Sequence, residues 1–171
     1  MKNFFAVLAV LSATSFSVQA ETKFIPPHAE SFDTASCAKT SEAEITAMFD
    51  NWNAALATLD AHNVAMMYVH DAILLPTVSN KPRVTHDEIE EYFVHFLKKR
   101  PHGTIDWRII KIGCNIASDT GLYTFTLHDK HGKTTKLTAR YSFVYEYDHD
   151  QWLIENHHSS MMPEKVKKQH H

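Results

Sequence analysis

Behind Ser41-Glu42-Ala43-Glu44, apolar residues recur three and four positions apart, at Ile45, Met48, Phe49, Trp52, Leu56 and Leu59. That spacing stacks them on one helical face, and a serine followed three residues later by glutamate is a capping box. The pattern predicts a helix reaching about Asp60. Asn63 predicts the cap of a short second helix through Val64, Met67 and Tyr68. The apolar run from Ala72 to Leu75, ended by Pro76, predicts a strand. Thr85-His86-Asp87-Glu88 repeats the capping pattern ahead of Ile89, Phe93, Phe96 and Leu97. Lys98, Lys99 and Arg100 suit the negative end of that helix's dipole, and Pro101 stops it.

From Thr104 onward the period drops to two. Arg108 to Ile116 places Ile110, Ile112, Cys114 and Ile116 on one face, Ser118 to Gly121 offers a turn, and Leu122 to His128 reads as a second strand. After a turn at His131-Gly132, one face of a long strand carries Leu137, Ala139, Tyr141, Phe143, Tyr145 and Tyr147. Asp148-His149-Asp150 turns the chain into a last strand, Trp152 to Ser160. Four consecutive strands with short connections predict an antiparallel meander. Helices segregated ahead of it make the expected class α+β, in one domain over residues 41–163.

The flanks read differently. Lys2, the apolar run Phe4 to Leu11 and the small-x-small ending Val18-Gln19-Ala20 have the layout of a signal peptide over residues 1–20. The run is far short of the roughly 20 apolar residues that span a bilayer, so export to the periplasm or beyond is expected, with no membrane contact after cleavage. Residues 21–40, with Pro26-Pro27, read as an irregular arm, and residues 164–171 as a polar tail. In an oxidising compartment the two cysteines, Cys37 and Cys114, predict a disulfide stapling the arm to the sheet. Two buried free thiols are the alternative.

Composition narrows the partners. The chain has 171 residues and a formal net charge of -3 from 17 basic and 20 acidic residues, which argues against a strongly basic nucleic-acid binder. Losing residues 1–20 removes only Lys2, leaving 16 basic residues against 20. Thirteen histidines invite a metal reading. His86, His95, His102, His128, His131, His149, His170 and His171 are scattered, however, and match no ligand spacing. No metal and no cofactor is expected.

Three segments carry a family likeness: Phe49-Asp50-Asn51-Trp52-Asn53-Ala54-Ala55-Leu56, Ala139-Arg140-Tyr141-Ser142-Phe143-Val144-Tyr145, and Trp152 to Ser160 with Met162-Pro163. They resemble the association (hub) domain of calcium/calmodulin-dependent protein kinase type II and its free-standing bacterial relatives, within the SnoaL-like, nuclear-transport-factor-two-like superfamily. Ala72 to Thr85 fits the bacterial relatives too. The resemblance implies a cone: a strongly curved antiparallel sheet around a long helix, with a pocket at the wide end and homodimers or larger rings made by pairing sheet faces. No glycine-loop or catalytic-loop signature of a kinase is present, so neither a kinase nor calmodulin is expected as a partner.

Fold alone does not set activity. His157 and His158 are strand neighbours, so regular alternation sends them to opposite faces. By the resemblance, His158 is the one expected inside. The hub family follows that histidine with a basic residue that helps hold acidic ligands; here Ser159 stands there, and Arg140 is the cation available instead. With Trp52, Tyr68, Trp107, Tyr123 and Tyr141, these two make the expected ligand pocket: Trp52, Tyr68, Trp107, Tyr123, Arg140, Tyr141 and His158. Acid-base chemistry needs a buried carboxylate or imidazole beside a tyrosine donor. His70, Asp71, Glu155 and His158 are candidates by type, although His70-Asp71 reads more simply as an exposed turn. The reading is thus a non-catalytic binding or homo-oligomerisation module. The alternative is a SnoaL-like enzyme of isomerase, hydratase or cyclase type, acting on a small, partly apolar molecule.

Overall fold

The computed structural model describes residues 37–164. The expected leader, most of the expected arm and the tail beyond Glu164 lie outside the described residues.

Helix α1 (Glu42–Ala57) starts as expected: the Ser41 hydroxyl accepts the Glu44 N–H and the Glu44 carboxylate accepts the Ser41 N–H. It buries Ile45, Phe49, Trp52 and Leu56. Its end comes sooner than the periodicity suggests. The Thr58 hydroxyl bonds back to the Ala55 carbonyl, Leu59 turns left-handed, and Asp60 caps helix α2 (Ala61–Ala65) by accepting the His62 N–H. Asn63 therefore lies inside α2. Tyr68, expected in that helix, instead opens strand β1 (Tyr68–Leu75), where it pairs with Ile154. Helix α3 (His86–Phe96) is capped by Thr85 and continues as a 3-10 turn over Leu97–Lys99.

Strands β2 (His102–Ile112), β3 (Ile116–His128), β4 (Thr134–Asp148) and β5 (Gln151–Met161) form the expected antiparallel meander. β1 joins parallel to β5, so the curved five-stranded sheet runs β1-β5-β4-β3-β2. The turn expected at Ser118 to Gly121 is absent, because those residues continue β3. The chain reverses around Gly113 to Asn115, where Asn115 adopts a left-handed φ of 57°. Cys114 is therefore in a turn rather than a strand. It forms the disulfide with Cys37, and Asn115 accepts the Ala38 N–H at 2.7 Å beside it.

Two strands carry an extra residue, and each changes what the sheet buries. In β2, Ile105 pairs with Tyr123 but Trp107 pairs with Leu122, leaving Asp106 as a bulge. Trp107 is thereby put on the outer face, 54% exposed, instead of in the expected pocket. In β5, Ile154 pairs with Tyr145 but Asn156 pairs with Val144, leaving Glu155 over. Beyond that bulge the alternation is inverted: His157 and Ser159 are buried and His158 is exposed. The inner face is otherwise aromatic, with Tyr123 and Phe125 from β3 and Tyr141, Phe143 and Tyr145 from β4 packed on α1 and α3. Ile112 and Ile116, expected on one apolar face, are exposed beside the β2–β3 turn.

Gly121 sits opposite Arg108, where the backbone of the β2 bulge presses against β3. A Cβ there would stand 1.9 Å from the Trp107 carbonyl oxygen and 2.9 Å from the Arg108 Cα. Gly121→Ala is expected to destabilise the fold by about 3 kcal/mol, read as a lower urea midpoint. The disulfide closes a separation of 77 residues. Cys37→Ser/Cys114→Ser is expected to cost about 2–4 kcal/mol, with reductant reproducing the loss in the parent and leaving the variant unchanged.

Candidate functional site

Helix α1 delivers Trp52 to the middle of the inner sheet face. Its ring meets Phe143 at 5.4 Å and His157 at 5.3 Å, both edge-on, and His157 stacks on Phe143 at 4.1 Å. The Trp52 indole N–H donates to the Tyr68 hydroxyl at 3.1 Å, and that hydroxyl lies 2.9 Å from His157 Nδ1. Indole can only donate, so the tyrosine's single proton is free for the imidazole. His157 Nδ1 therefore accepts, and the ring proton belongs on Nε2. Nε2 has no hydrogen-bond partner among the described residues. It borders a cavity of about 20 Å³, room for about one water, whose wall includes Thr77, Tyr92, Tyr123 and Ser159. The Tyr123 hydroxyl donates to Ser159 Oγ at 2.5 Å, and Thr77 bonds the same oxygen.

Burial, aided by the neighbouring charge of His158, pushes His157 down to about 3. Burial likewise pushes the Tyr123 phenol up to about 12, against the hydrogen bonds to Ser159 and Thr77. Both groups therefore hold one protonation state around neutrality.

A second polar group lies further along the inner face. Asp119 is fully buried, accepts the Tyr141 hydroxyl at 2.8 Å and stands 3.2 Å from Arg108 Nη2. Burial raises the Asp119 pKa, against the Tyr141 hydrogen bond and the Arg108 charge. Burial also raises Tyr141, with the Asp119 bond and charge adding to the effect. The Tyr145 hydroxyl and Arg108 Nε have no hydrogen-bond partner among the described residues, and Arg108 lies over the Phe49 ring at 5.7 Å. A buried ion pair of this kind adds little net stability, yet losing one partner strands the other.

Of the expected pocket residues, the structure gathers Trp52, Tyr68, Tyr123 and Tyr141 inside. It does not bring Trp107, Arg140 and His158 to them. These three border a hollow of about 400 Å³ on the outer face instead. Arg140 is exposed because the inward positions of β4 belong to Ala139 and Tyr141, and its Nη2 reaches only the Met161 carbonyl at 3.5 Å. His158 is outside because of the Glu155 bulge. His70, Asp71 and Glu155 are exposed too, with His70 and Asp71 inside β1 rather than in a turn. Sequence reasoning missed His157, Arg108 and Asp119. Counting back by twos from Tyr123 would have found Asp119; no local signal marks His157 as the inward histidine.

An imidazole that titrates near 3 in the fold and near 6.5 when unfolded gives its full contribution above 6.5. That contribution falls by about 1.4 kcal/mol per pH unit as pH drops from 6.5 toward 3. Asp119, whose pKa is raised, acts in the opposite sense and gains as pH falls. Urea unfolding between pH 7 and 4.5 is therefore expected to show a steeper acid loss in the parent than in His157→Gln, by about 2–3 kcal/mol in total. Parallel curves would overturn this assignment.

The profile of the calcium/calmodulin dependent protein kinase II association domain matches residues 41–163. A structure from Xanthomonas campestris named for the same association domain is 50% identical, covers 76% of this chain and 96% of its own, and superposes with a TM-score of 0.71. A nuclear transport factor 2-like superfamily protein from Salmonella enterica shares the fold at 17% identity, over 75% of this chain and 96% of its own, with a TM-score of 0.62. So does a structure from Novosphingobium aromaticivorans named for an aromatic ring hydroxylase, at 19% identity, 72% and 94% coverage and a TM-score of 0.63. No curated protein matches. With the α+β architecture, the order of elements and a profile match across the described sheet and helices, the chain belongs to the calcium/calmodulin dependent protein kinase II association domain family.

Proposed function

We propose that the protein is an exported association module that pairs with copies of itself through the outer face of its sheet. The observation that carries this reading is the outer face itself. Trp107 and Ile109, on strand β2, are 54% and 47% exposed. Arg140 on β4 and His158 on β5 stand on the same face, bordering the same hollow as Trp107. An aromatic anchor flanked by an arginine is the composition of an interface hot spot. Family membership supports the same reading, since association domains oligomerise. Trp107, Arg140 and His158 then act as interface residues, Trp52 and Tyr123 line the small interior cavity, and Tyr68 and Tyr141 are hydrogen-bonded core residues.

The acid-base alternative needs room beside a tyrosine donor. The interior does contain such pairs, Tyr68 with His157 and Tyr141 with Asp119, but the cavity beside His157 holds about one water. That packing favours assembly over turnover. Export rests on the signal-like first twenty residues and on the Cys37–Cys114 bridge, which suits an oxidising compartment.

Native mass spectrometry of protein recovered from an oxidising compartment tests this reading. A homodimer or larger ring is expected, and Trp107→Glu is expected to weaken pairing at least about tenfold while leaving the circular dichroism spectrum unchanged. A parent protein that stays monomeric at tens of micromolar would sink the proposal. A stoichiometric small-molecule adduct would instead reopen the interior as a working site.

A further inference from the structure

A different part of the surface gathers positive charge. The end of α1, the turn after α3 and the β3–β4 turn enclose a cleft of about 680 Å³. Its border includes Lys98, Arg100 and Lys130, with His102 and His128 beside them and Asp129 as the one acid. None of these three cations forms an ion pair among the described residues, and the cleft shares no residue with the outer hollow of Trp107. The volume is that of an ordinary small-molecule site.

Cations also gather at helix ends simply to offset the dipole, and two helix ends meet here. Each end carries roughly half a negative charge. The ends of α1 and α3 thus answer about one of the three cations, and much of that negative charge is already engaged. Thr58 N–H and hydroxyl both bond the Ala55 carbonyl, Leu59 N–H bonds the Leu56 carbonyl, and Arg100 N–H bonds the Leu97 carbonyl. Asp129 is occupied as well, because its Oδ1 accepts the N–H groups of His131 at 2.8 Å and Lys133 at 2.9 Å. Those two bonds, with Gly132 at a φ of 79°, make the turn a fixed platform for Lys130. Three cations against the Asp129 carboxylate and two helix ends leave the border of the cleft net positive by about one charge.

The imidazoles add donors. The Asn53 amide nitrogen, which can only donate, lies 3.4 Å from His102 Nδ1, and Thr134 Oγ1 lies 3.2 Å from His128 Nδ1. A neutral His102 then carries its proton on Nε2, and so does His128 where Thr134 donates to it. Arg100 is held left-handed, at φ 44° and ψ 60°, and Leu59 has a φ of 59°. Non-glycine residues adopt that conformation at a cost, and here it falls on two residues that border the cleft. Leu59, Ala57 and Pro101 supply an apolar side.

We propose that this cleft binds a small polyanion carrying two or more phosphate-like groups, held by Lys98, Arg100 and Lys130 with imidazole N–H donors beside them. Charge-assisted bonds from an arginine fork and two lysines suit phosphate oxygens better than a lone carboxylate. The apolar side leaves space for a short carbon skeleton. The source is either a free polyphosphate chain or a phosphorylated sugar. The site does not depend on self-association.

Isothermal titration with tripolyphosphate and, separately, with a sugar bisphosphate tests the site at about 0.1 M salt. Lys98→Gln/Arg100→Gln/Lys130→Gln is compared with the charge-matched Lys39→Gln/Lys111→Gln/Lys136→Gln, each checked for folding by circular dichroism. Binding by the parent, lost at least about tenfold in the cleft variant but held within about twofold in the matched variant, is the expected result. Preference for one probe names the source. No heat with either probe, or equal losses in both variants, overturns the proposal, the second outcome meaning that diffuse surface charge was responsible. If the cleft variant fails to fold, amide shift mapping of the parent decides: shifts at residues 98–102 and 128–132 support the site, and shifts confined elsewhere overturn it.

Discussion

The extra residue at Glu155 slides β5 against β4 so that His157, rather than Asn156, lies opposite Phe143. The centre of the fold depends on that slip. Trp52, Tyr68, Phe143 and His157 then close around one another, and the Trp52–Tyr68–His157 chain of hydrogen bonds engages each polar group of those three side chains except His157 Nε2. Without the slip an asparagine, Asn156, would take the inward position next to Ile154. The buried histidine is held neutral by its surroundings, so it behaves as a flat ring with one donor and one acceptor. It joins the aromatic packing without bringing a charge inside.

Much of this architecture is legible in the sequence. Ser41 and Thr85 cap their helices as their spacing indicates, and the change from helical to alternating period falls within two residues of the observed start of β2. The failures have local physical causes. Asp106 and Glu155 bulge without glycine or proline to mark them, and one unmarked insertion flips every later side chain in its strand. The bulges put Trp107 and His158 outside and His157 inside, whereas the inward expectation for His158 rested on the family resemblance. Gly121 misled in another way: it is required by the close approach of the Trp107 carbonyl, whereas a glycine beside Ser118 and Asp119 reads as a turn. The pairing of Cys37 with Cys114 was legible because it rests on count and compartment rather than register.

Arg108, Asp119 and Tyr141 pose a different question. A buried ion pair is a poor source of stability, and apolar replacements would fill the same space. Its position is informative, though. Arg108 follows the β2 bulge directly and faces Gly121, so the guanidinium can reach Asp119 only while that bulge is in place. A sheet paired one residue out of register would bury a lone carboxylate. The pair thus penalises the wrong register more than it rewards the right one.

The same two bulges divide the molecule's labour. By turning His157 inward they complete an interior with little free volume, and by turning Trp107 and His158 outward beside Arg140 they furnish a surface. Inward residues answer to packing and have little freedom to serve anything else. Outward residues answer to no such demand, so an exposed tryptophan beside an arginine on the outer face, or three cations without an ion pair among the described residues around one cleft, is free to serve a partner. Function in this chain is therefore to be sought on its outer surfaces, where the strand register places side chains that the core does not use.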